Sequence, residues 1–557
     1  MDREDKKQKI YHGEEKDQMK TLFNKPVSFI REFIKNQLKK IEKLTMIGVA
    51  LSAEKNPHRL LKMIVEEAKN LTDADGGTLY IMSDDRKKLC FAVVQNSVLG
   101  IGMGGTGGEI TWDPILLINE DNIPNYSNVS AYAALSGKVV NIPDVYNASG
   151  FNFEGTRLFD EKTGFRSQSM LVVPMRNHEN DIIGVLQLLN SRDNITGKVV
   201  PFSLENRRMT ESLASQAAVA LTNTQLIHSL ENLLESFIRS IAAAIDEKSP
   251  YTGGHVRRVA ELTIAIAKAI NESTEGHYSD ISFNEDEMKE LRIAAWLHDV
   301  GKVATPEFIV DKATKLETKF DRIELLKTRI EILKRDHEIE ILKKKTGQGQ
   351  INIINKNDYL IKQLEEDLTF LISSNDGSKI MTDEMIDRVK EIAGRQYSMG
   401  SELKSMLTDD EVLNLTVKNG TLTESERIVV NNHAEITYKI LSQLPFPKKL
   451  SHVPDYAAAH HERLDGSGYP SGLKGNSIPL QSRILALADV FEALTARDRP
   501  YKKGITLSEA INIMKTMATS NGLDPELLDL FIKKQIYSEY AAKELEPHQL
   551  DPGVSEL

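Results

Sequence analysis

Residues 291–302 read LRIAAWLHDVGK, and residues 460–470 read HHERLDGSGYP. In the first stretch, the apolar residues at 291, 294 and 295 fall on one helix face together with His298, so an imidazole points towards a protein core. A buried polar side chain without a partner is costly. The adjacent pair His298 and Asp299 therefore needs partners, and a metal ion is the natural shared partner of histidine and aspartate.

Three further stretches repeat this pattern of a polar side chain on an apolar helix face. They are GGHVRRVAELTIAIA, which contains His255, TLTESERIVVNNHAEITYKILSQL, which contains His433, and QSRILALADVFEALTARDRPYKK, which contains Asp489. A single histidine of this kind is most simply a hydrogen-bonded core residue, and a single aspartate a cap or a surface carboxylate. Several such helices in one chain, together with the pair His460 and His461, predict one shared metal cluster.

These residues resemble the HD-GYP family, the bacterial phosphodiesterases of the wider HD superfamily. The matching motifs are YTGGHVRRVA, HDVGKV, LTESERIVVNNH, HHERLDGSGYP and LADVFEALTARDRPY. They lie between about Phe237 and Ser520 and cover roughly a third of the chain once an insertion is set aside. The resemblance implies an all-α catalytic domain with two divalent metal ions.

By this resemblance, Asp299 bridges the two metals. The other implied ligands are His255, His298 and Asp489 for the first metal, and His433, His460 and His461 for the second. Family members with three metals carry a glutamate four residues before the first histidine, where this chain has Tyr251. We therefore expect a dinuclear site, with iron or manganese favoured by the mixed ligands and zinc still open.

The resemblance also implies the catalytic roles and the substrate. Asp299 and Lys302 are the expected catalytic residues, because an ammonium one helical turn beyond His298 can reach a phosphate and offset its developing charge. The expected substrate contacts are Lys302, Gly468 and Tyr469 of the GYP loop, and Arg499 and Lys502, which suit a second phosphate. The implied activity is hydrolysis of cyclic di-GMP to linear pGpG, and in some members on to GMP.

Two alternatives remain open from the sequence. The chain could be an HD-type phosphohydrolase for another cyclic dinucleotide or nucleotide, or a non-catalytic receptor for a second messenger. The complete ligand set and Lys302 favour an enzyme, because a receptor has no need of them.

Composition limits the partners. The chain has 557 residues, a net charge of −11 and a pI near 5.8, which argues against binding to a nucleic acid polymer. The only cysteine is Cys90, which fits a reducing cytoplasm. The charged first residues do not resemble a signal peptide, and no long apolar run predicts a membrane span, so we expect a cytoplasmic protein.

We expect a multidomain chain, with an α+β sensor domain followed by an all-α HD-GYP domain that carries a helical insertion. Residues 1–42 are predicted as a helical extension. Residues 43–203 resemble a GAF domain, a small-molecule sensor fold with a central antiparallel sheet, and GTLYIMS, KLCFAVVQ, SMLVVPMRN and DIIGVLQLLN are its predicted strands. The resemblance implies an unidentified small-molecule effector.

The signature of GAF domains that bind cyclic nucleotides is only partly present. Asn190 and Phe202 match it, but Ser191 stands where the signature has lysine, and Asn206 and Arg207 stand where it has aspartate and glutamate. Binding of a cyclic nucleotide, binding of another ligand and a purely dimerising role therefore all remain open.

Residues 204–244 read as nearly continuous helix with apolar residues at three- and four-residue steps. This pattern predicts a parallel signalling helix that pairs two subunits of a homodimer, although a helix packed on its own domain would show it too. The HD-GYP domain is expected over residues 245–313 and 421–557. The intervening residues 314–420 are predicted as a helical hairpin or small bundle, including a helix over MTDEMIDRVKEIAGRQYSM.

Overall fold

In a computed structural model of the protein, the described residues are 27–119, 122–247, 254–344, 351–496 and 504–551. The chain divides into two compact units, Met1–Asn232 and Leu233–Leu557. The first unit combines helices with a large sheet, and the second is almost entirely helical. This confirms the predicted fold class. None of the helices in these described ranges combines the length and the apolar content that a membrane span requires.

An antiparallel sheet forms the centre of the first unit, with strand order β3-β2-β1-β7-β6-β5. Two short strands, β4 and β8, pair with β2 and β7. All four predicted strands are present, as β1, β2, β6 and β7. The bounds are β1 Ala74–Met82, β2 Lys88–Asn96, β3 Ile101–Gly104, β4 Ile115–Leu116, β5 Val140–Ile142, β6 Met170–Arg176, β7 Ile182–Arg192 and β8 Val199–Val200.

Helices and loops cover both faces of this sheet. On β1, Leu79 belongs to one hydrophobic core and Tyr80 to the other, and on β7 Val185 and Leu186 divide in the same way. Because successive strand residues point to opposite faces, burial of both faces explains the nearly continuous apolar runs in these strands. The helices of this unit are α1 Val27–Ala53, α2 Pro57–Thr72, α3 Val129–Ser136 and α4 Glu154–Thr163.

The long helix α5 runs from Leu204 to Asp246. Beyond it, the second unit is built from helices whose apolar faces form two cores. Its principal helices are α6 His255–Asn271, α7 Glu285–Leu297, α8 Glu307–Val310, α13 Glu424–Asn431, α14 His433–Leu441, α15 Val453–Ala458, α16 Leu480–Thr495, α17 Leu507–Thr519, α18 Pro525–Lys533 and α19 Tyr537–Glu544.

The segment between α8 and α13 has a hydrophobic core of its own, formed by residues between Leu316 and Leu415. Its elements are α9 Ile323–Lys344, α10 Ile351–Asn375, α11 Asp383–Ala393, β9 Gln396–Met399, β10 Glu402–Ser405 and α12 Asp409–Leu415. The helix predicted over MTDEMIDRVKEIAGRQYSM is too long: α11 ends at Ala393, next to Gly394. Gln396–Met399 instead pairs with Glu402–Ser405 as a hairpin that the sequence reading missed.

Candidate metal centre

Five helices bring the seven predicted ligands together. Two of the ligands are the first residues of α6 and α14, four follow the ends of α7 and α15, and one lies within α16. Ligand atoms within each of three groups lie within 4.8 Å of one another. The groups are His433, His460 and His461; His255, His298 and Asp489; and His298, Asp299 and His460.

Asp299 lies at the middle of this cluster. Its Oδ2 is 3.5 Å from His255 Nε2 and 3.2 Å from His298 Nε2, and its Oδ1 is 3.4 Å from His433 Nε2. Asp489 Oδ1 lies 3.4 Å from His255 Nε2. The two oxygens of one buried carboxylate therefore face two different groups of imidazoles, which is the arrangement that a bridging ligand requires.

Backbone carbonyls fix the orientation of three imidazoles. The Nδ1 atoms of His298, His433 and His460 each pair with the carbonyl oxygen three residues earlier, at 2.8, 2.6 and 2.6 Å. Their Nε2 atoms, and that of His255, are buried without a hydrogen-bond partner among the described residues. Buried polar atoms are normally paired, so a convergent set of unpaired Nε2 atoms fits a metal cluster.

The electrostatics divide the cluster into two halves. Burial lowers the pKa of His255, but the charges of Glu492, Asp299 and Asp489 outweigh it and raise that pKa to about 10. Burial lowers the pKa of His461 to about 4, even though Asp489 opposes the shift. Burial and the neighbouring imidazoles likewise hold the pKa of His460 well below its usual value.

The central carboxylate is held ionised. Burial raises the pKa of Asp299, but the charges of Lys302 and His298 outweigh this effect and lower the pKa well below its usual range. The ionised Asp299 and the neutral His460 and His461 are in the protonation states that metal binding requires.

The turn that follows Asp299 is clamped onto α14. The Thr437 hydroxyl accepts a hydrogen bond from the Gly301 N–H at 3.0 Å and donates one to the His298 carbonyl at 3.0 Å. Lys302 Nζ lies 2.5 Å from Asp299 Oδ2 and is partly exposed, so its ammonium lies at the metal centre. The sequence did not predict the role of Thr437, because nothing near a threonine inside a helix indicates a hydrogen bond to a segment far away in the chain.

The GYP loop folds back onto the two adjacent histidines. The Glu462 carboxylate accepts hydrogen bonds from the N–H groups of Ser471 and Leu473, at 2.7 and 2.9 Å. The ring of Tyr469 lies 4.8 Å from that of His461, centroid to centroid. Burial and the charges of Asp489 and Asp299 raise the pKa of the Tyr469 hydroxyl, which therefore remains protonated as a hydrogen-bond donor.

A close approach explains the glycine of this loop. A Cβ at Gly468 would lie 2.4 Å from Arg463 N and 2.5 Å from His461 O, so a larger residue would push the loop away.

Three residues named from the sequence lie outside the residues that the structure describes. Arg499 and Lys502 lie in 497–503, and Tyr251 in 248–253, outside the described residues.

The sequence reading also missed Glu492. Its side chain is 1% exposed, with Oε2 2.5 Å from His255 Nδ1, and Oε1 accepts a hydrogen bond from Arg258 Nε at 2.7 Å. The signal was available, because Glu492 lies three residues after Asp489 and therefore on the same face of α16.

In the first unit, the residues of the partial signature have structural contacts. The Asn190 side chain accepts hydrogen bonds from the N–H groups of Gln168 and Ser169 and donates one to the Arg166 carbonyl. Phe202 is buried in the core. At two of the positions that depart from the signature, Asn206 Nδ2 donates to Ser191 Oγ at 3.1 Å, so a neutral pair stands there.

Three family models match the chain. Residues 56–221 match the GAF domain, and residues 252–372 and 372–527 match two models that are each described as an HD domain. The chain contains a GAF domain and an HD domain. The predicted resemblance is confirmed for both parts.

Curated relatives match part of the chain. The 3'3'-cGAMP-specific phosphodiesterase 1 of Vibrio cholerae is 40% identical over 132 residues, 24% of this chain and 29% of that protein. The cyclic di-GMP phosphodiesterase response regulator RpfG of Xanthomonas campestris is 36% identical over 169 residues, 30% and 42%. A cyclic di-GMP phosphodiesterase of Thermotoga maritima is 36% identical over 149 residues, 25% and 40%. The chain thus spans less than half the length of these relatives.

Solved structures match the first unit. One is the GAF domain of an Acinetobacter phosphoenolpyruvate-protein phosphotransferase, 12% identical with a TM-score of 0.24, covering 34% of this chain and 98% of that chain. Another is the GAF domain of a Coxiella burnetii phosphoenolpyruvate-protein phosphotransferase, 13% identical with a TM-score of 0.25, covering 35% and 99%.

Proposed function

We propose that the protein is a metal-dependent phosphodiesterase that hydrolyses cyclic di-GMP to linear pGpG under the control of its GAF domain. The proposed GAF domain comprises residues 43–203, and the proposed connecting helix, which is separate from it, comprises residues 204–244. The proposed catalytic domain comprises residues 245–313 and 421–557, interrupted by the insertion 314–420. The observation that carries this proposal is the buried cluster in which unpaired Nε2 atoms surround Asp299.

The seven predicted ligands fit two divalent ions, which we propose to be iron or manganese. When bound, such ions supply Lewis-acid activation of water and of a phosphodiester. Asp299 contributes one oxygen to each half of the centre. Lys302 places a positive charge at the same carboxylate, where it can offset the charge that develops on phosphoryl oxygens. The protonated Tyr469 hydroxyl, beside His461, is a donor for a phosphate oxygen.

The test is anaerobic turnover of cyclic di-GMP by the full-length protein loaded with iron or manganese, with metal quantified on the same sample. We expect Asp299→Ala to lose both metal and turnover. Lys302→Ala should retain metal but lose about 10²–10³-fold in rate, because it removes charge stabilisation and no ligand. Lys439→Ala is the matched control, since Lys439 is an exposed lysine of α14. Normal turnover by Asp299→Ala would refute the two-metal mechanism.

A second candidate substrate is 3'3'-cGAMP, because several relatives of similar identity carry that specificity in their names. Parallel assays with cyclic di-GMP, 3'3'-cGAMP and cyclic mononucleotides compare the candidates through kcat/KM. Turnover of mononucleotides alone would favour a different HD-type phosphohydrolase. Tight binding without turnover of any of them, in the metal-loaded protein, would favour a receptor.

We propose an uncharged planar molecule as the GAF effector. A cavity of about 360 Å³ lies on the sheet, lined by aromatic residues that include Phe91, Trp112 and Phe159. At its side, Gln187 Oε1 accepts hydrogen bonds from Tyr80 and Ser130, while its Nε2 has only a 3.8 Å contact with a methionine sulfur. Among the described lining residues the one charged side chain is an aspartate, and burying a phosphate without a cation is costly.

The effector can be sought by fluorescence, because Trp112 and Trp296 are the two tryptophans of the chain. In a Trp296→Phe variant, Trp112 is the remaining reporter. We expect neutral purine bases to change its emission at concentrations where cyclic AMP and cyclic GMP do not. Saturable binding of a cyclic nucleotide would contradict the proposal.

We also propose a homodimer through α5. Five large apolar side chains at three- and four-residue steps on this helix are 51–65% exposed: Leu226, Ile227, Leu230, Leu233 and Phe237. Such a stripe is what a parallel two-stranded contact buries. Light scattering after size exclusion should give twice the chain mass, and Leu230→Glu with Leu233→Glu should reduce it to one chain.

A further inference from the structure

The two halves of the metal centre differ in charge. The carboxylate half consists of His255, His298 and Asp489, and the histidine half of His433, His460 and His461. Both face the shared Asp299. The carboxylate half therefore has an acidic ligand of its own, whereas the histidine half offers three neutral imidazoles.

A second carboxylate increases this difference from outside the ligand set. Glu492 is buried behind His255, with Oε2 2.5 Å from Nδ1. In three other histidines of the cluster, Nδ1 pairs with a neutral backbone carbonyl instead of a carboxylate. A carboxylate behind a ligating histidine fixes the ring and makes its other nitrogen a stronger donor.

Arg258 holds that carboxylate in position. Its Nε donates to Glu492 Oε1 at 2.7 Å, which leaves Oε2 for His255. Arg258 and His255 both lie on α6, while Glu492 and Asp489 lie on α16. The contact therefore also aligns the two helices that supply the carboxylate half.

We propose that the two metals bind in order, first and more tightly in the carboxylate half, and that Glu492 is the positioning residue that sets this order. The inference rests on the dinuclear centre of the proposed function. An ion in the carboxylate half would be held by two carboxylates, Asp489 and Asp299, and by a histidine whose other nitrogen pairs with a third carboxylate, that of Glu492. An ion in the histidine half would be held by only one carboxylate, the shared Asp299. Loss of such a second-layer partner typically weakens metal affinity about 10–100-fold.

The experiment is titration of the metal-free, full-length chain with Mn²⁺, followed by calorimetry and by the electron paramagnetic resonance of free Mn²⁺. We expect two resolved binding steps of one ion each. Glu492→Gln, which keeps the shape and removes the charge, should weaken the first step about 10–100-fold and leave the second in place. Glu492→Asp should recover part of the loss. Glu435→Gln, on an exposed residue of α14, is the matched control and should change neither step.

A second variant keeps the test decisive if Glu492→Gln does not fold. His433→Ala removes a ligand of the histidine half and should abolish the second step while one ion still binds tightly. Two ions of equal affinity in the wild type would overturn the binding order but leave the dinuclear centre standing. Binding of no ion would overturn both. A tight first step unchanged in Glu492→Gln would overturn the role of Glu492.

Discussion

Gly301→Ala should separate the two sides of the metal centre without replacing any ligand. Gly301 follows the His298–Asp299 pair by two residues and lies against the start of α14, whose first residue is His433. A Cβ at this position would lie 2.0 Å from the His433 carbonyl oxygen, 2.7 Å from Thr437 N and 2.8 Å from Thr437 Oγ1. Two of these three atoms are backbone atoms, so the clash cannot be relieved by rotating a side chain.

The size of the effect follows from these distances. An ordinary contact of a Cβ begins at 3.4 Å, so the turn and α14 must move apart by more than an ångström. That shift lengthens the 3.4 Å separation of Asp299 and His433 and breaks the hydrogen bond from Gly301 to Thr437. Overpacking of this kind costs about 1–3 kcal/mol of stability. Misplacement of a catalytic group by about 1 Å costs about 10²-fold in rate.

The assay compares metal content, thermal unfolding and turnover of the Gly301→Ala and wild-type proteins. We expect weakened metal binding and a loss of about two orders of magnitude in kcat. Gly394→Ala is the matched control, because Gly394 is helical in its backbone angles and its Cβ would meet nothing nearer than 3.5 Å. Wild-type metal affinity and turnover in Gly301→Ala would refute the argument that this close contact sets the geometry of the centre.

Three other substitutions test separate parts of the structure. Asn190→Ala removes two accepted hydrogen bonds and one donated, so the GAF domain should lose about 2–4 kcal/mol in urea unfolding; an unchanged midpoint would contradict this role. Lys315 is fully buried, and burial lowers its pKa to about 8. Since the unfolded chain binds more protons between about pH 8 and the ordinary lysine pKa, stability should rise with pH in that window by about 1–3 kcal/mol. Lys315→Met should remove this rise. A stability-versus-pH curve of Lys315→Met that runs parallel to that of the wild type would refute the role of Lys315. Gly468→Ala should displace Tyr469 and raise KM for the dinucleotide while metal content stays at the wild-type level, as checked by metal analysis.

The inward-facing ligands could be predicted from the sequence, because the spacing of apolar residues around each one is visible within a short stretch of the chain. The partners of those ligands were harder to find. Thr437 and Glu462 act through backbone groups of other segments, and nothing in their neighbourhood marks those contacts. The β9–β10 hairpin was missed for a related reason, since four-residue strands are too short to show a period against the strong helix pattern before them.

The insertion leaves the metal centre intact because its two ends meet. The Lys315 ammonium donates to the Val417 carbonyl at 2.8 Å, and the Thr421 hydroxyl donates to the Lys312 carbonyl at 2.9 Å. The buried Lys312 ammonium pairs with Glu426 at 2.8 Å, which joins the segment after α8 directly to α13. With its own core, the inserted segment folds around contacts within itself. The chain that leaves the turn after Asp299 thus returns beside its point of departure, and α13 and α14 can place His433 opposite that aspartate. Because the two ends of the insertion contact each other, its length has little effect on the geometry of the site. The entropic cost of closing a loop also grows only slowly with the length of the loop.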